Sequence, residues 1–261
     1  MLNKKLLEKT DLAMLIILPV IGTILSVVYE LNWLSSTLLF FGPLALWLSY
    51  RTPKRVAHAL IFSIIFSLPM VFIVGYLAVS NRAWLVPESV LPRLFNIVDA
   101  ESFVWGFLWV YSIIIFYEHF LDKGRHELVN RRIKYLVYIF SSLVLVMLLL
   151  IIWSPEVLEF RYPYLKICVA AGLIPLAAFL GVFPNLFVKF FKVTAYFFAL
   201  LSLNEFVALD QNHWAFPADG QYLGWIHVLG YSFAFEELFF LLITLTTSIL
   251  CYYEFFDDDR K

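Results

Sequence analysis

The chain has 261 residues, of which 62% are hydrophobic and 15% charged, and its mean hydropathy is +0.84. Soluble domains carry about 25% charged residues, so this composition excludes a soluble globular protein and defines a polytopic membrane protein. The net charge of −1 comes with no basic patch, which excludes nucleic acid as a partner and leaves the lipid bilayer as the chain's surroundings.

Taken from the N-terminus, MLNKKLLEKTDLAMLIILPVIG joins a basic start to an apolar run. The run is long enough to span and no small-residue cleavage site follows, so it reads as a retained first helix. Eight stretches approach the ~20 residues that a helix needs to cross a bilayer. They lie at about 12–31, 33–50, 56–79, 102–122, 133–153, 164–183, 186–209 and 223–253. The second contains Pro43 and is expected to kink or tilt. The expected fold is therefore an all-α polytopic membrane protein with about eight transmembrane helices.

The basic residues divide unevenly between the connections. One side holds Lys4, Lys5, Lys9, Arg51, Lys54, Arg55, Lys123, Arg125, Arg131, Arg132, Lys134, Lys189, Lys192, Arg260 and Lys261, fifteen in all. The other holds four: Arg82, Arg93, Arg161 and Lys166. By the positive-inside rule both termini are expected in the cytoplasm, with the protein integral to the plasma (inner) membrane.

An internal repeat is expected as well. Twelve residues separate Gly106 from Glu118, and twelve separate Gly224 from Glu236. Each pair follows a W-x-x-P turn, WLVP at Trp84–Pro87 and WAFP at Trp214–Pro217. The halves 1–130 and 131–261 then read as two parallel four-helix repeats that share one orientation.

The eighth span carries adjacent glutamates, Glu236 and Glu237. Counted as one helix from Leu223, they lie roughly 20 Å inside the bilayer. An ionisable group at that depth costs at least ~2.5 kcal/mol and is by default a functional candidate. On a helical wheel His227, Tyr231, Glu237, Thr244 and Ser248 share one stripe, with Glu236 about 100° away. The fourth span carries Tyr111, Glu118 and Arg125 at seven-residue steps, with His119 adjacent. Glu205 follows Asn204 near the end of the seventh span, just before Asp210, His213 and Trp214. Glu118, Glu205, Glu236 and Glu237 therefore read as converging on one cavity. The plain alternatives are that the glutamates bond backbone or histidine partners and fix helix packing, and that the phenylalanines face lipid or core; a salt bridge to Arg125 or Arg161 would exclude the acid role. The histidines are scattered without carboxylate partners at i+3 or i+4, so no metal is expected. Cys168 and Cys251 read as small buried side chains.

The stretch W-A-F-P…Y-L-G-W…F-E-E-L-F-F…Y-Y-E resembles the membrane lycopene cyclase domain, clearest over 204–254. This is the integral-membrane type of bacterial heterodimers and of fused archaeal and fungal chains. Trp214, Phe216, Leu223, Gly224, Glu236, Glu237, Phe239 and Phe240 occupy the motif positions, and Glu205 stands where the family usually has an acid. Three features depart from the family pattern: Ala234 replaces the motif proline, His119 follows Glu118 where a second acid would stand, and Gly75 occupies the first-half acid position.

The resemblance implies non-redox ring closure at the end of a lipid-soluble linear polyene. Such chemistry needs a proton delivered to an alkene and later removed, and no cofactor. The donor must be the neutral acid at pH 7, a state that burial and a neighbouring carboxylate both favour. Glu236, Glu237, Glu205 and Glu118 are the candidate acids. Trp214, Trp225, Phe239 and Phe240 are candidate cation-stabilising faces, with Phe216, His227 and Tyr231 as further substrate contacts. Two other classes stay open: a non-catalytic or lipid-binding membrane subunit, within a homo- or hetero-oligomer, and a proton-coupled carrier.

Overall fold

The computed structural model describes residues 4–122, 131–217 and 220–256. Among these, eight helices are long and apolar enough to cross a membrane. They are α1 (Lys4–Val28), α2 (Trp33–Arg51), α3 (Val56–Ser80), α4 (Ala100–Asp122), α5 (Ile133–Trp153), α6 (Pro163–Val182), α7 (Phe187–Asp210) and α8 (Glu237–Phe256). The chain is an all-α polytopic membrane protein. Its extended structure is two short hairpins, β1 (Arg93–Leu94) with β2 (Val98–Asp99), and β3 (Trp225–Val228) with β4 (Tyr231–Ala234).

Local chemistry sets the helix ends. The Asn32 side chain accepts the Ser35 N–H at the start of α2, and Asp99 accepts the Ser102 N–H at the start of α4. Burial pushes the Asp99 carboxyl above the usual aspartate range. Proline stands at the first turn of α6 and of the short helical turns that lead into α3 and α7, where its missing N–H costs nothing. Pro43 lies inside α2, which runs unbroken through it.

Burial orders the bundle. In α4, 72% of the most apolar window is buried, and in α8, 61%, against 17% for each of α5 and α6. So α4 and α8 form the centre, and α5 and α6 present most of their surface to lipid. At the far end of the bundle Tyr117 of α4 bonds Glu254 of α8, and Tyr253 of α8 bonds Glu118 of α4. Asp11 of α1 accepts Arg51 Nε at 2.7 Å, Trp47 Nε1 at 3.1 Å and His119 Nε2 at 3.1 Å, which ties α1, α2 and α4 together at that same end.

The last span is shorter than expected. Residues 225–234 form the β3–β4 hairpin instead of the first half of a helix. Leu229 (φ 52°) and Gly230 (φ 89°) make its two-residue turn, the left-handed pair that hairpins require. The aromatic and β-branched residues of W-I-H-V and Y-S-F-A suit a strand better than a helix. This overturns the single polar stripe: His227 and Tyr231 are in the hairpin, and Glu237 begins α8. The Glu118–Glu236 equivalence fails too. Glu118 is level with Tyr253 at the far end, whereas Glu236 immediately precedes α8 at the end that carries the hairpins. The two W-x-x-P turns do meet, because Leu85 and Ala215 exchange backbone hydrogen bonds at 3.0 and 2.9 Å.

The hairpin tip makes a clear topological test. With Cys168 and Cys251 replaced by alanine, Leu229→Cys should react with a membrane-impermeant maleimide from one side of the membrane. Leu242→Cys, which sits at a buried position of α8, should stay unlabelled. Equal protection of both would restore a membrane helix through residue 229.

Candidate functional site: a buried acid pair in an apolar slot

Four helices surround an apolar cavity of about 130 Å³. α3 contributes residues from Phe66 to Ala78, α4 from Ser102 to Val110, α6 from Tyr164 to Gly172, and α8 from Glu237 to Tyr252. Trp84 and Trp214, from the two meeting turns, add to the wall at the hairpin end. The run from Glu237 to Tyr252 along α8 corresponds to about 20 Å of helix. The volume is below the roughly 300–1,000 Å³ of sites for whole small molecules. The cavity is therefore a small apolar slot. Its surface is aromatic and aliphatic, with Glu237 as its one carboxyl.

The acid site is built at the mouth of α8. α8 opens with a π-helical stretch, Glu237–Thr244, in which the Thr244 hydroxyl donates to the Phe239 carbonyl five residues back. Such stretches recur at functional sites because they reset which side chains face inward. Here Glu237 and Phe240 face the cavity. The Tyr164 hydroxyl donates to Glu237 Oε2. The Glu205 and Glu237 carboxyls are near enough to interact electrostatically, and Glu205 Oε2 has no hydrogen-bond partner among the described residues. Behind them, Trp214 Nε1 donates to Glu205 Oε1 at 3.2 Å. Glu205 and Glu237 are both almost wholly buried. Two ionised carboxyls in so dry a site would each lack compensation for their charge.

Trp214 sits in an indole cluster, edge-on to Trp33 at 4.7 Å and to Trp105 at 6.2 Å. His213 supports that shelf: its Nε2–H donates to the Leu31 carbonyl at 2.8 Å, and its ring lies 5.7 Å from Trp33. Burial holds this histidine below the ordinary range, so it stays neutral at pH 7.

Of the four candidate acids, two meet. Glu236 is fully buried but lies outside the cavity lining; its Oε1 accepts the Leu223 N–H at 2.7 Å and holds the loop before the hairpin. Glu118 is at the opposite end, bound to Tyr253 and 3.5 Å from Arg55 Nε. Arg125 lies outside the described residues.

Of the expected substrate contacts, Trp214 and Phe240 line the slot. Phe216 is half-buried in the core and packs edge-on against Tyr222. Trp225 is on the exposed strand β3, 5.2 Å from the Tyr222 ring. Phe239 points outward, stacked on Phe235 at 5.9 Å. His227 bonds the Ser232 hydroxyl at 2.7 Å on the exposed hairpin, and Tyr231 bonds Asp210 at 2.7 Å. His227 and Tyr231 lie outside the slot because the stretch that carries them is a hairpin and not a helix, and Trp225 and Phe239 are not among the lining residues. Sequence reading missed Tyr164, Trp84, Trp105 and Trp109. The recurrence of tryptophan at four-residue spacing, Trp105 and Trp109, was the available signal for one face of α4. Tyr164 carried none.

The fold and site define the class, a helical membrane protein with two buried glutamates at an apolar slot. No protein-family model, curated protein or solved structure matches the chain.

The two adjacent glutamates should separate by substitution. Glu236→Gln keeps an acceptor for the Leu223 N–H and should melt like the wild type in detergent. Glu236→Ala should lose about 1 kcal/mol, the worth of one such hydrogen bond. An unchanged melting temperature for Glu236→Ala would remove its loop-holding role.

Proposed function

We propose that this protein is a membrane-embedded acid catalyst that closes rings at the end of a linear polyene, as the membrane lycopene cyclases it resembles do. One observation carries the reading: a carboxyl pair with no cation among its described partners, at one end of an aromatic-walled slot. A proton leaves the Glu237 carboxyl and forms a C–H bond at the terminal alkene, whose π bond breaks. The tertiary cation is attacked by an internal double bond, which forms the ring C–C bond and moves the cation onto the ring. The carboxylate left behind takes a proton from a neighbouring ring carbon, which restores an alkene and the acid. Atoms and electrons balance within the substrate, so the net change is an isomerisation.

Each chain residue has a defined part in that sequence. Glu237 exchanges the proton with substrate. Glu205, held by Trp214, shares that proton and steadies the carboxylate. The Tyr164 hydroxyl positions Glu237. The faces of Trp105, Trp109, Trp214 and Phe240 stabilise the passing cation by roughly 0.5–2 kcal/mol each. The protein resides in the plasma (inner) membrane with both termini cytoplasmic and the hairpins outside, in keeping with its basic-residue asymmetry.

Expression in a lycopene-accumulating bacterial host, followed by pigment analysis, tests the reading. The wild type should convert lycopene to cyclic carotene. Glu237→Gln and Glu205→Gln should each cut ring formation by about 10²–10⁴-fold, the usual worth of general acid catalysis. Tyr164→Phe should cost about tenfold, as befits one hydrogen bond to a charged group. Glu118→Gln, at the far end of the bundle, should leave the turnover of inserted protein unchanged. Untouched lycopene with well-inserted wild type would sink the cyclase reading. Proton uptake driven by a gradient in proteoliposomes would then favour a carrier.

A further inference from the structure

The two halves build their hairpin ends alike. α3 and α7 each close on a left-handed residue, Arg82 and Asn212, both with φ 56°. The next N–H then returns to the helix: Ala83 to the Ala78 carbonyl at 2.8 Å, and His213 to the Ala208 carbonyl at 2.7 Å. A tryptophan follows in each case, and the residues after it, Leu85 and Ala215, pair with each other. A hairpin comes next. A glutamate at the foot of the following helix then takes the N–H of the residue two before the first strand: Leu91 to Glu101 at 2.8 Å, and Leu223 to Glu236 at 2.7 Å.

That correspondence identifies the first-half counterparts of the acid pair. Gly75 stands seven residues before Arg82, as Glu205 stands seven before Asn212. Ser102 follows Glu101, as Glu237 follows Glu236. Gly75, Ser102 and Glu237 all line the slot. A Cβ added at Gly75 would meet Val98 Cγ1 at 3.1 Å, so this wall is already at close packing. At the far end of the slot, Tyr252 and Phe66 pack at 5.2 Å.

We infer that the slot is an asymmetric, single-acid site that takes one end of an extended hydrocarbon at a time, with Gly75 and Ser102 forming an acid-free wall where the second half places its acids. The inference rests on the polyene reading above and adds a directional consequence. A substrate with two reactive ends must leave, reverse and re-enter before its second end reacts.

The test uses membranes holding the full chain and labelled lycopene, chased with a large excess of unlabelled lycopene once one-ring product has formed. The expected result is that labelled two-ring product stops accumulating on the chase, or never forms. Labelled two-ring product that continues undiminished would overturn the inference, because both ends would then react in one binding event. A second arm fills the first-half wall. Ser102→Phe keeps the backbone N–H that Asp99 caps and should elute as a single species in detergent, yet bind and cyclise at least about tenfold less lycopene, as overpacking a closed wall does. Full binding by a well-folded Ser102→Phe would also overturn the inference. If the wild type leaves lycopene unchanged, the cyclase reading falls and binding alone decides this one. One lycopene per chain, lost in Ser102→Phe, would uphold the single slot; two per chain, or none, would refute it.

Discussion

A buried carboxyl in a hydrocarbon-embedded bundle needs a cation, a set of donors or a proton, and the placement of the acids follows from how each meets that demand. Asp11 has Arg51 and His119. Glu118 has Arg55 and the Tyr253 hydroxyl, and Asp122 has Lys189 at 3.8 Å. Glu101 takes the N–H groups of Val90 and Leu91 and the Ser89 hydroxyl. Glu205 and Glu237 are different. Their partners are each other, a phenol and an indole, all neutral donors or fellow acids. An acid beside a cation has its negative charge compensated, whereas an acid pair among neutral donors has no such compensation. Glu118, equally buried, differs in having the Arg55 guanidinium 3.5 Å away.

Much of the architecture was legible in the sequence because hydropathy is a sum over many residues and tolerates local error. The eight spans depend on runs such as 133–153, where no single residue decides the outcome. The last span misled because mean apolarity does not distinguish a membrane helix from an apolar hairpin. Gly230 at the tip, with aromatic and β-branched residues on either side, was the local evidence, and it was outweighed by length. Every placement that relied on a wheel through Leu223–Phe235 failed with it, His227 and Tyr231 included. The placements that rested on the Trp214 turn and on adjacency to Glu205 have a different basis, since those residues are fixed by the end of α7 and by the pairing of Leu85 with Ala215. Tyr164 was out of reach because its partner lies 73 residues away in the chain.

The adjacent glutamates also divide one task between them. At the entry to α8 a helix leaves its first N–H groups unpaired and its starting point loosely defined. Glu236 turns back to bind the Leu223 N–H, which fixes the loop against the helix and so fixes where the next residue points. Glu101 does the same for α4 with Val90 and Leu91, and the residue it positions is Ser102. The loop-holding glutamate is thus present in both halves, while the residue after it is an acid in one and a hydroxyl in the other. Glu101 is buried and bonded to its loop with no acid after it, which fits an architectural part for the first glutamate of the pair.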